Sequence, residues 1–177
     1  MMTPTKNTNS HFWDSPRRDC NCMAYAFNYD GWMTPYDSDY EWDSSTDRFY
    51  DIYDMVLDGW SKEDIYEELL ARDKEYMLKH FPNLREIEFK DLYTLPVETT
   101  VIAYRVGLQY CEDDVDSMYD WDCDFHFRVR RNGKWSEKYG SGEVVDCTMR
   151  PQDNWVLVEY PEDFVYDSRI LLFVLDE

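Results

Sequence analysis

Glycine is scarce in this chain, with 6 among 177 residues, and no Gly-rich run is present to cradle a phosphate. Basic residues are few as well: 18 Lys and Arg stand against 38 Asp and Glu, a net charge of −20. Binding a nucleic-acid backbone or an anionic membrane surface requires cations to meet the phosphates, so both are excluded as direct partners. No stretch approaches the roughly 18 apolar residues that span a bilayer, and the opening MMTPTKNTNS has no apolar signal core. The expected location is therefore the cytoplasm. Cys20, Cys22, Cys111, Cys123 and Cys147 are an odd number of cysteines, which argues for free thiols in a reducing compartment and against a disulfide framework.

Aromatic residues are what the chain has in excess: 15 Tyr, 9 Phe and 7 Trp within 44 % apolar residues. That composition can bury enough surface to offset chain entropy, which excludes disorder, and the length suits one core better than two. A single domain over 1–177 is expected, with an extended lead-in (1–19), a mainly helical part (20–81) and a mainly β part (82–177). Residues 20–28 (CNCMAYAFN) read as a short buried helix ended by the Asp30-Gly31 turn, and a further short helix is expected near 47–57. Ser61 to Phe81 is the clearest helix: Ser61 and Asp64 form a capping-box variant, and Ile65, Leu69, Leu70, Met77, Leu78 and Phe81 recur at helical spacing. Strands follow near 85–90, 99–106, 124–131, 134–139, 143–147, 155–160 and 169–175, with Asn132-Gly133 as a hairpin turn. Helices first and strands afterwards predict an α+β fold, its N-terminal helices packed on a curved, mostly antiparallel sheet.

Two places carry candidate chemistry. In Asp19-Cys20-Asn21-Cys22-Met23-Ala24-Tyr25, a cysteine in the first turn of a helix feels the positive end of the dipole, which favours thiolate. Thiolate is the nucleophile, and cysteine hydrolases place theirs in this way. In Asp124-Phe125-His126-Phe127-Arg128-Val129-Arg130, alternation puts Phe125, Phe127 and Val129 on one face and Asp124, His126, Arg128 and Arg130 on the other. His126 is then on a polar face, free to act as a base. A group to orient it is expected one hairpin on, at Asp146, with Asp153 and Asn154 as competitors. Zinc is disfavoured for Cys20, Cys22, Cys123 and His126, because the first pair is too closely spaced and the second points to opposite faces of a strand. The run Asp37-x-Asp39-x-Glu41-x-Asp43 fails as an EF-hand, with Trp42 and Arg48 where Gly and Glu are required. No metal and no cofactor are expected.

Asn21-Cys22-Met23-Ala24-Tyr25-Ala26-Phe27, Asp124-Phe125-His126-Phe127-Arg128 and Asn132-Gly133-Lys134-Trp135-Ser136-Glu137-Lys138-Tyr139-Gly140 together resemble a group of small bacterial and phage proteins. Those proteins carry N-C-Y-x-Y-A, then D-Y-H-[FW]-Y-R, a short hairpin, and G-x-W-S-H-K-x-G, and they look like papain-like cysteine hydrolases. The resemblance implies a papain-like fold with Cys22 as nucleophile, His126 as its base and Asp146 as the orienting residue. Asn21 or a backbone N–H would serve the oxyanion, since no upstream Gln fits. Glu137 departs from the pattern by standing where the family has histidine.

The expected function is a cysteine hydrolase or acyl transferase acting on an amide or isopeptide bond of a protein or peptide. The alternative is a non-enzymatic acidic interaction protein. Residues 112–124 hold Glu112, Asp113, Asp114, Asp116, Asp120, Asp122 and Asp124 without one basic residue. Such a row can mimic DNA phosphates, as anti-restriction and anti-CRISPR decoys do, with Asp113, Asp114 and Asp116 as the residues that would meet a basic partner surface.

Overall fold

The computed structural model describes residues 20–36, 43–110, 121–140, 142–159 and 162–176. The lead-in, Cys111 and the acidic residues Asp113, Asp114 and Asp116 lie outside them.

Among the described residues, four helices and eight strands follow one another as α1 (Cys22–Phe27), α2 (Asp43–Leu57), α3 (Lys62–His80), β1 (Leu84–Ile87), α4 (Phe89–Leu92), β2 (Thr100–Tyr110), β3 (Trp121–Arg131), β4 (Lys134–Lys138), β5 (Val144–Asp146), β6 (Trp155–Leu157), β7 (Phe164–Tyr166) and β8 (Leu171–Leu175). β1, β8, β2, β3, β4 and β5 form one sheet in that spatial order, and every adjacent pair is antiparallel. β6 and β7 pair separately. The expected α+β layout with a mostly antiparallel sheet is what the chain adopts. None of the described helices is long and apolar enough to cross a membrane.

Alternation assigns the two faces. Ile102, Tyr104, Val106, Phe127, Val129 and Phe173 join α1, α2 and α3 in one core, while Val101, Ala103, Leu172 and Val174 join Trp155, Phe164 and Tyr166 in another. α3 is capped as its sequence predicts, the Ser61 hydroxyl accepting from Asp64 N at 3.1 Å. Its buried face includes a carboxylate, Asp73, which Arg48 of α2 engages through both guanidinium nitrogens at 2.7 and 2.8 Å and to which the Tyr104 hydroxyl donates. This pair anchors α2 on the sheet.

Two elements escape the sequence pattern. β1 stops at Ile87, because Glu88 and Asp91 form a capping box that turns Phe89–Leu92 into a single helical turn. β7 crosses β2 at Gly107, where a Cβ would sit 2.4 Å from Val165 O, so only glycine admits the crossing. The face that reads as polar on β2 and β3 is thereby covered. Beneath the β6–β7 layer, Arg105 donates to Ser168 O and Asp153 O, and Arg130 to Pro96 O. These side chains satisfy loop carbonyls that have no ladder partner.

Candidate active site

α1 is short and wholly buried, and its ends are held by side chains. Asn21 is its N-cap: Oδ1 accepts from Ala24 N (3.1 Å) and Met33 N (3.2 Å), while Nδ2 donates to Met33 O (2.7 Å). At the other end Arg131 donates to Tyr25 O and Ala26 O, and Asn28 takes the left-handed conformation with φ of 63°. Lys138, with no exposed surface, donates from Nζ to Cys20 O at 2.5 Å and to Gly140 O. The segment before Cys22 is thus tied to the end of β4.

Cys22 begins α1 at the edge of β3. β4 pairs with β3 only from Arg128↔Glu137 outward to the turn, so residues 121–127 leave that edge open. There the Cys22 thiol meets Phe125 O at 4.0 Å. A cavity of about 290 Å³ opens at this place, lined by Cys22 and His126 together with Trp32, Asp124, Tyr139 and Tyr166. The structure therefore brings Cys22 and His126 to one cavity, although no hydrogen bond joins them.

His126 is 1 % exposed and not a surface base. Tyr139 stacks on it in parallel with ring centroids 3.9 Å apart, and Trp155 meets it edge-on. Its Nε2 hydrogen-bonds Glu137 Oε2 at 3.1 Å. The same oxygen accepts from Arg128 Nε at 2.7 Å, and Arg128 also donates to Thr148 O and lies over the Trp155 ring. The carboxylate behind the imidazole is Glu137, at the position where the resembled motif has histidine.

Asp146 does not meet His126. It pairs with Ser136, which pairs with Val129, and paired residues share a face. Asp146 therefore belongs to the face opposite His126, and its side chain is exposed on β5. Asp153 is spent elsewhere, Oδ2 accepting from Arg150 N at 2.7 Å and from the Thr148 hydroxyl at 2.9 Å. Asn21 lines the cavity, but its amide is engaged in the cap and in holding Met33.

Electrostatics differ from the dipole argument. Burial pushes the Cys22 thiol well above its ordinary range, with the Asp124 charge adding to the rise; the amides of Phe127, Met23 and Cys22 oppose it and lose. A six-residue helix has too few aligned peptides to outweigh desolvation. Burial also lowers His126, against the opposing pull of Glu137. The resting pair is a neutral thiol and a neutral imidazole. Glu137 stays ionised because His126 and Arg128 together overcome its burial.

The described cysteines Cys20, Cys22, Cys123 and Cys147 are free thiols, and no cluster of metal-ligating side chains forms among the described residues. Compared with protein-family models, with curated proteins and with solved structures, the chain matches none.

Proposed function

We propose that the chain is a cysteine hydrolase or acyl transferase of papain-like type, acting on an amide or isopeptide bond of a protein or peptide. The observation that carries this reading is the shared cavity of Cys22 and His126, with Glu137 hydrogen-bonded to His126 Nε2. Glu137 fixes the tautomer with the proton on Nε2, which leaves Nδ1 unprotonated to receive the thiol proton. Because both partners rest neutral, proton transfer accompanies attack and does not precede it. The Cys22 sulfur bonds to the carbonyl carbon as its proton passes to Nδ1. The imidazolium, stabilised by Glu137, then protonates the departing amine as the C–N bond breaks. Water, or an amine acceptor in a transferase, attacks the thioester and restores the thiol. The backbone N–H of Cys22, in the first turn of α1, is the donor assigned to the oxyanion, because the Asn21 side chain is engaged in the cap and with Met33.

The net charge of −20 and the free thiols support a cytoplasmic protein that meets basic partners. The same charge supports the second reading, an acidic interaction protein docking through Asp113, Asp114 and Asp116. Trapping decides between them. Wild type incubated with a fluorogenic peptide-amide library is expected to release fluorophore and to carry an acyl mass increment on Cys22. Cys22→Ala is expected to do neither, and release that persists in Cys22→Ala would refute the assignment.

A further inference from the structure

Among the described residues, the lining of the cavity beside Cys22 includes a carboxylate and no Lys or Arg. Asp124 Oδ1 accepts from the neighbouring Phe125 N at 2.8 Å, and Oδ2 accepts from the Tyr166 hydroxyl at 2.5 Å. Each carboxylate oxygen can accept a further bond. The two buried carboxylates among the described residues hold a guanidinium: Asp73 has Arg48 and Glu137 has Arg128. Asp124, only half-buried, forms no ion pair with a described Lys or Arg. Trp32, Tyr139 and Tyr166 line the same cavity, and aromatic walls suit a cation. Trp32 is 63 % exposed, at the mouth of the cavity, and a Cβ on Gly140 would lie 3.8 Å from its ring.

We propose that Asp124 is a specificity-determining residue that receives a primary ammonium group of the substrate, so that the favoured acyl substrates carry a free amine near the scissile carbonyl. This rests on the reading of Cys22 as the nucleophile. The amine belongs either to a substrate N-terminus or to a lysine-like side chain. A cavity of about 290 Å³ accommodates a short chain between the sulfur and the carboxylate. The charge of a bound ammonium would also offset the desolvation that holds Asp124 above the usual carboxylate range.

The test reads the alkylation of Cys22 by mass spectrometry and needs no turnover. Three probes share one iodoacetamide group and differ in tail: 2-aminoethyl, propyl and 2-carboxyethyl; a 5-aminopentyl probe supplies lysine-like length. Rates are divided by those with glutathione. The 2-aminoethyl or the 5-aminopentyl probe is expected to label about tenfold faster than the propyl probe, and the carboxyethyl probe more slowly still. The faster amine tells an N-terminal source from a side-chain one. In Asp124→Asn the amine-to-propyl ratio is expected to fall to about one, whatever the variant does to the absolute rate. Should that variant not fold, the wild-type ratio is measured at about 50 and 500 mM salt, and it must fall as screening rises. Equal labelling by amine and propyl probes in the wild type, or a ratio that survives Asp124→Asn, overturns the ammonium subsite while leaving the nucleophile in place. No labelling of Cys22 by any probe overturns the nucleophile and the subsite with it.

Discussion

Glu137→Gln is the substitution that separates a working imidazole from a merely packed one. The side chain keeps its shape, but the charge that Arg128 and His126 share is gone. Arg128 has 7 % of its side chain exposed, and apart from Glu137 it is left with Thr148 O at 3.0 Å and the Tyr139 hydroxyl. Breaking a buried pair from one side costs roughly 3–5 kcal/mol; the lower end is expected here because the amide oxygen still accepts one bond. His126 loses the neighbour that opposes its desolvation, so its pKa falls further and it takes the thiol proton less readily. A positioned general base supplies roughly 10²- to 10⁴-fold, and about ten- to a hundredfold of that should vanish with its orienting carboxylate. The assay is the rate of Cys22 alkylation by iodoacetamide at about pH 7.5, beside urea unfolding of the same samples. Two further variants make the result interpretable. Glu137→Gln with Arg128→Met removes the stranded cation, so stability should recover while labelling stays slow. In a His126→Ala background, Glu137→Gln should have no further effect on labelling, since residues that act as a unit are not additive. A labelling rate unchanged by Glu137→Gln, or an equal drop in the His126→Ala background, would refute the coupling of Cys22 to Glu137 through His126.

In the wild type, labelling of Cys22 should rise as His126 deprotonates below about pH 6.5, because burial lowers its pKa. His126→Ala should abolish that shoulder and leave only a rise of about tenfold per pH unit on the alkaline side. Folding stability should decline with acid as well. The folded pKa of His126 is lowered, so the unfolded chain takes up the proton first, and stability present above about pH 6.5 is lost below it. Glu137, depressed in the fold, adds to that loss as pH falls through its folded pKa, whereas Asp124, raised by burial, acts in the opposite sense. The melting temperature of wild type minus that of His126→Asn, followed from about pH 8 to pH 5, isolates the histidine contribution, and a flat difference would contradict it. Arg48→Met should cost about 3–5 kcal/mol in urea unfolding by leaving Asp73 charged and without its guanidinium. Lys138→Met should cost about 1–3 kcal/mol by removing the buried donor to Cys20 O and Gly140 O, and should loosen Cys22 enough to change its labelling rate.

Much of the site can be counted out from one turn. Asn132-Gly133 fixes a two-residue hairpin, so Arg131 faces Lys134, Arg130 faces Trp135, Val129 faces Ser136 and Arg128 faces Glu137. Partners share a face, which puts Glu137 on the side of Arg128 and His126. The same count puts Ser136, and Asp146 opposite it, on the other side. The residue sought behind His126 was therefore legible two positions beyond Trp135. It is obscured when Glu137 is judged only as a departure from a histidine motif. A carboxylate accepts from Nε2–H as well as a neutral imidazole does, and it adds a charge that Arg128 can hold in place.

The rest was hidden because it depends on what covers the sheet. Alternation correctly separates Asp124, His126, Arg128 and Arg130 from Phe125, Phe127 and Val129, but it cannot tell a solvated polar face from a covered one. The cover is β6 with β7: β6 falls within the strand expected near 155–160, but three-residue β7 is too short for a periodic signal, and nothing in the pattern places the pair over β2 and β3. Gly107 is the local sign that a backbone crosses β2, and it reads equally as a bulge until Val165 is seen above it. That layer brings Trp155 and Tyr166 onto His126 and removes the imidazole from water. Desolvation then reverses the sign expected for the thiol: a residue at a helix start, anticipated as thiolate, rests protonated. In the proposed hydrolase the chemistry consequently shifts from a preformed ion pair to a base that would act only when a substrate carbonyl is present. Glu137 would matter most in that situation, because the imidazolium it stabilises would exist only during the proposed reaction.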